Sequence, residues 1–211
     1  MADRSPARVI KTVKFPTDAE AQQAFEAYVS AVGRVAHAWN YLHEKLGRLF
    51  VCIVKAQNPN VTAAVWYSTY SDRSQRQMLE TAIKTSDESE WRHLVPNARD
   101  DLYCLLKRAN NLGTKRDDAI HAPCSLITDV DRTEMATSFL SGHRRAKNLV
   151  GKALLVEFDW TERCAESLSR FVDAAENSLT FGGTWPNIPP VPDRKPRRAV
   201  QGRVPPRQIP K

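Results

Sequence analysis

Arg116 and His121 close an amphipathic stretch that begins at Asp100, with Asp117, Asp118, Ala119 and Ile120 between them. A guanidinium and an imidazole at this spacing suggest proton-coupled chemistry on an anion. Histidine titrates near neutrality and can give or take a proton. Arginine carries a permanent charge on a planar fork that matches the oxygens of a phosphate. Asp117 directly follows the arginine and can either orient the imidazole or pair with the guanidinium. In a straight helix, side chains five residues apart point about 140° from each other. The pair therefore converges only where the helix starts, ends or bends, or where a second subunit completes the site. The plain alternative is a solvated, self-paired charge run from Lys115 to Asp118, with His121 at a helix end facing the negative pole of the dipole.

Farther on, His143, Arg144, Arg145 and Lys147 form a basic loop, able to hold RNA phosphates or simply to be solvated. The aromatics Trp39, Tyr41, Trp66, Tyr67 and Tyr70 recur at helical spacing, which favours core or interface over a stacking platform. Cys52, Cys104, Cys124 and Cys164 lie far apart, with no CxxC pair and no Cys/His cluster, so they read as reduced thiols and no metal site is expected. There is no phosphate loop, no Ser/His/Asp order and no nucleotide fingerprint, and hence no expected cofactor.

The elements that position these residues are mostly helices. Thr17 to Glu20 is a capping box, the hydroxyl taking an orphan N–H while the glutamate reaches back. From there Phe25, Tyr28, Val32, Val35, Trp39, Leu42, Leu46, Leu49 and Ile53 recur at three and four, which predicts a helix of roughly 35–40 residues, ~55 Å long. Gly33 and Gly47 are its weak points, and Asn58-Pro59 ends it. Residues 61–70 fit either a short helix or a buried loop. Ser71 and Asp72 start a further helix that ends near Ser86. Pro96 suits the first position of the helix that leads to Arg116, and Gly113 interrupts that helix's apolar stripe. Ser125 to Asp131 has strand composition and can pair with Ala136 to Leu140 as a small hairpin. Leu149 to Phe158 is ambiguous, and Asp159 with Glu162 is a candidate start for the last helix, stopped by Gly182-Gly183.

The chain of 211 residues has a net charge of +7 and a pI near 9.4, but the charge is not evenly spread. Residues 182–211 hold seven Lys/Arg against one Asp, leaving 24 basic and 23 acidic residues in 1–181. A near-neutral body argues against a broad basic binding face. Eight of the thirteen prolines also fall in 182–211, which reads as a disordered, polyproline-like tail. Such a tail can bind nucleic acid, engage a proline-recognition module, or be inert. Residues 1–16 read as an arm carrying at most a marginal strand, Val9 to Phe15. No secretory signal is visible and no apolar run approaches the ~20 residues of a membrane span, so the expectation is a soluble, cytoplasmic protein with no membrane partner.

On the six residues Arg116 to His121 the chain resembles the HEPN superfamily of small helical proteins, whose signature is Arg, four to six residues, then His, commonly with a polar residue after the Arg. Asp117 fills that polar place, although the family normally shows Asn in or near the motif and the Asp117-Asp118 pair departs from this. The general plan over residues 17–181 is similar too, including a long first helix carrying Ala38 to Leu42. The resemblance implies a mainly α helical bundle and metal-independent RNA cleavage, the ribose 2′-OH attacking the adjacent phosphorus. It further implies His121 as acid and base, Arg116 on the phosphate and Asp117 orienting. A single histidine cannot easily serve as both base and acid, and a two-fold homodimer, common in the family, resolves this. The rival expectation is a non-catalytic helical interaction module that uses the same fold as a dimerising scaffold.

Overall fold

The computed structural model describes residues 15–87, 96–128, 132–138 and 142–194. The expected long first helix is present as α1, Asp18–Val54, 37 residues long. Its capping box is formed as read: Glu20 N–H donates to the Thr17 hydroxyl at 3.3 Å and Thr17 N–H donates to the Glu20 carboxylate at 2.9 Å. Residues 61–70 resolve in favour of a helix, α2, Pro59–Ser68, with Asn58 as its N-cap. Helix α3 follows, Asp72–Thr85, capped by Ser71.

Helix α4 runs Ala98–His121 without a break. Two expectations are corrected here. Pro96 lies in a turn before the Asn97 cap rather than at the first helical position. Gly113, expected to interrupt the apolar stripe, is buried along with it; a Cβ there would lie 3.0 Å from the Trp39 ring and 3.3 Å from an Arg76 nitrogen. Glycine is needed for close approach, not as a breaker. Gly47 has the same purpose in α1, since a Cβ would stand 2.7 Å from the Trp66 indole nitrogen.

The hairpin comprises β1, Cys124–Thr128, and β2, Thr133–Thr137, antiparallel with Cys124 opposite Thr137. Its second strand begins three residues earlier than the sequence suggests. The basic stretch expected as a loop contains a single helical turn, α5, Arg144–Lys147. The last helix, α6, spans Leu154–Phe181. It starts well before Asp159, which lies inside the helix and accepts from Arg163 at 2.8 Å. Packing decides this: Leu154 and Phe158 belong to a buried cluster with Ala31, Val35, Ala119 and Ala122, so those turns are stabilised from outside the segment. Gly182, at φ 77°, ends the helix as expected.

α1 and α6 pack along most of their length, with α3 and α4 completing a larger core around Leu42, Leu46, Leu79, Leu105 and Val172. The proline-rich tail is free of helix and strand through residue 194, as its composition predicts. Composition does not reveal that its first part is anchored. Trp185 is 6% exposed and stands edge-on to Phe171. Residues 195–211, and the proposed strand from Val9 to Phe15 except for its last residue, lie outside the described residues.

Candidate functional site

Helix α4 presents two flanks, one toward α3 and one toward α6. On the α3 flank lies an open cleft of about 860 Å³, lined by residues of α1, α3, α4 and α5. Five guanidiniums border it, those of Arg73, Arg76, Arg116, Arg144 and Arg145, against the carboxylates of Asp72, Glu80 and Asp117. The near-neutral body thus hides a local cationic surplus.

Trp39 of α1 forms the organising surface. The guanidinium of Arg76 lies 5.0 Å from its ring centre and that of Arg116 lies 5.4 Å away. Cations over an indole face are attracted by its quadrupole. The Trp39 indole N–H donates to the Asp72 carboxylate at 2.9 Å, and the same carboxylate oxygen pairs with Arg116. Behind Trp39 stands a row of tilted rings, His43, Trp66 and Phe50, spaced 5.4–5.6 Å apart. His43 Nε2 is 3.2 Å from the Asp72 carbonyl oxygen, to which its N–H can donate.

Charge states follow from this packing. Burial pushes the His43 imidazole below its ordinary value, more than the nearby Asp72 carboxylate and its backbone raise it. Burial would raise the Asp72 carboxyl, but the Trp39 N–H and the neighbouring His43, Arg116 and Arg76 outweigh it and hold the group below the usual value. The Arg76 guanidinium is also lowered by burial. Its Nε donates to Asn110 Oδ1 at 2.7 Å.

The residues expected from the sequence separate. Arg116 lies in the cleft, as do Arg144 and Arg145. His121 does not line it; it is exposed at the last position of α4. Because α4 stays helical between the two, their side chains leave the axis about 140° apart, and one chain does not bring them into one cleft. Asp117 pairs with Arg116 at 3.0 Å and Arg145 at 3.4 Å, so in this chain it steadies guanidiniums. Asp118, 4% exposed, accepts from Asn148 at 2.8 Å and ties the α5 turn to α4. His143 caps that turn and Lys147 is exposed; neither lines the cleft. The five aromatics divide, with Trp39 and Trp66 buried and Tyr41, Tyr67 and Tyr70 exposed.

Sequence reasoning missed Asp72, Arg76 and His43 as site residues, and favoured core or interface for Trp39, which is buried. Asp72, Gln75, Arg76 and Leu79 recur at helical spacing, so Arg76 stands on the same side of α3 as buried Leu79. An arginine on an apolar face was the available signal. Among the described residues no group of His, Cys, Asp and Glu could hold a metal ion, and all four cysteines are free thiols. No helix among the described residues is long and apolar enough to cross a membrane. Comparison with protein-family models, with curated proteins and with solved structures finds no match for this chain.

Proposed function

We propose that the chain is a HEPN-like helical domain that binds RNA in the arginine cleft and, as a two-fold homodimer, cleaves it without metal. The observation that supports this reading is the placement of Arg116 in a cleft bordered by four further arginines, with His121 exposed on the same rigid helix but outside that cleft. The arginines hold backbone phosphates. A second copy, related by a two-fold axis near the end of α4, brings the two His121 imidazoles together at one scissile phosphate, with Arg116 beside them. One imidazole takes the proton of the ribose 2′-OH as that oxygen bonds to phosphorus. The other protonates the departing 5′-oxygen, leaving a 2′,3′-cyclic phosphate and a 5′-hydroxyl. Arg116 offsets the charge that develops on the phosphoryl oxygens. The four free thiols fit a cytoplasmic setting.

The test is incubation of the purified protein with mixed RNA in the presence of chelator. Cleavage that is lost in His121→Ala and in Arg116→Ala, but kept in His143→Ala, is the expected outcome. A second reading, a non-catalytic interaction module, draws on a specific contact: Arg116 is already paired with Asp72 and Asp117. A folded dimer that leaves RNA intact would establish that reading and end the enzymatic one.

A further inference from the structure

Two buried nitrogens on residues that line the cleft have no hydrogen-bond acceptor among the described residues: Nη1 of Arg76 and Nε of Arg116. Arg76 is only 7% exposed, far less than a surface arginine. A buried donor without a partner is costly, and more so when it carries charge. The rest of each guanidinium is firmly held. Arg76 donates to Asn110 and lies against Trp39; Arg116 pairs with Asp72 and Asp117 and lies against the same ring. The absence of a Cβ at Gly113 lets Trp39 and Arg76 come this close to α4. Two fixed, incompletely satisfied guanidiniums on one aromatic plate form a receptor for an oxyanion.

The first turn of α3 adds to it. Ser71, Asp72 and Arg73 all border the cleft, and α3 is a 14-residue helix whose amino end carries partial positive charge. Asp72 places one carboxylate oxygen between the Trp39 indole and Arg116. A negatively charged oxygen therefore already occupies part of the position that a bound phosphate would take.

We propose that Arg76 and Arg116 form a binding site for a tetrahedral phosphate group, with Asp72 as the chain's own stand-in for the ligand. On binding, phosphate oxygens accept from Arg76 Nη1 and from Arg116, while Asp72 keeps its bond to Trp39 and yields its claim on Arg116. Arg73, Arg144 and Arg145 at the border draw the anion in. The phosphate belongs either to an RNA backbone or to a small phosphorylated molecule. The first source rests on the function proposed above; the site itself does not.

The experiment is titration of the full chain with inorganic phosphate, followed by calorimetry and by thermal shift in a phosphate-free buffer of fixed ionic strength. Saturable binding is expected, weakened roughly tenfold or more by Arg76→Met and by Arg116→Met, as for loss of a charge-assisted bond. Arg76→Lys, which keeps the charge but not the fork, guards against misfolding and should also bind more weakly, with an unchanged circular dichroism spectrum. The distinctive result is Asp72→Asn, which should bind phosphate more tightly than the parent chain because the competing charge is gone. Absence of saturable binding, or an Asp72→Asn chain that binds no better, overturns the proposal. A 2′-O-methyl RNA oligonucleotide, which resists cleavage through the 2′-oxygen, then separates the sources. Competition with phosphate places the RNA backbone in the site. Phosphate binding without competition upholds the site, assigns it to a small phosphorylated molecule and removes the RNA reading.

Discussion

The two flanks of α4 are built on opposite principles. On the α6 flank, the extended segment 184–194 finds a partner for one polar group after another. Trp185 Nε1 donates to Asp101 at 3.0 Å, Trp160 Nε1 to the Pro192 carbonyl at 2.7 Å, and Arg163 to the Asp193 carbonyl at 2.9 Å. Arg108 donates to the Pro189 carbonyl and Ser178 to that of Thr184. Proline has no N–H to leave unpaired, and the carbonyls of Pro189 and Pro192 are taken up by a guanidinium and an indole donor. On the α3 flank, two arginines are held rigidly and left short of acceptors. A satisfied surface stabilises; an unsatisfied, well-held one retains capacity for a ligand. The contrast sets a flank whose polar groups are paired against one that holds unpaired charge.

The contrast can be broken most directly at its stable side. Trp185→Ala removes a buried indole, its edge-on contact with Phe171 and its bond to Asp101, and should cost about 3–5 kcal/mol in urea unfolding. A loss under about 1 kcal/mol would show that the segment is only loosely attached. Next in size is Gly113→Ala on the cleft side. In an ordinary helix interior this change stabilises by about 1 kcal/mol. Here the added carbon meets Trp39 and Arg76, so the sign should reverse to a loss of about 1–3 kcal/mol, read from the same denaturation curves. Stabilisation would mean that the close approach of Trp39 to α4 is not structural.

Trp160→Phe sharpens the comparison further, since it removes the N–H that the Pro192 carbonyl accepts together with part of a buried ring. The expected loss is about 1–3 kcal/mol, accompanied by faster proteolytic trimming near residues 189–194. The smallest effect concerns pH and belongs to the cleft flank. The folded chain holds the His43 imidazole below its ordinary value of 6.5, so between the two values it binds fewer protons than the unfolded chain. Stability from this source is complete above pH 6.5 and declines as pH falls through and below that value. Thermal melts from pH 7.5 to 5.5 should show the decline, and His43→Gln should reduce it. An unchanged slope would place the titrating group elsewhere.

Elements specified by local signals were legible in the residues. The Thr17–Glu20 box, the apolar period through Ile53 and the Gly182 stop define α1 and the end of α6, because caps and periodicity act within one or two turns. The start of α6 was misread at Asp159, whose spacing to Glu162 resembles a cap. The helix extends back to Leu154 because distant residues, Ala31 and Ala119 among them, bury Leu154 and Phe158. The site followed the same division. Arg116 and Arg145 were visible as candidates by type and proximity. Arg76 and Asp72, some forty residues away in the chain, acquire their meaning only once α3 is laid against α4 and Trp39 is inserted between them.

By itself, then, the sequence determined that this is a mainly helical protein with a long first helix, a small hairpin and a proline-rich end, since these depend on short-range patterns of apolarity, capping and ring geometry. Which cations are buried together and which carboxylate opposes them were decided by tertiary packing. Only packing sets the distance and the dielectric between charges remote in the chain, and those two quantities turn an arginine into either a surface solubiliser or a buried, fixed charge.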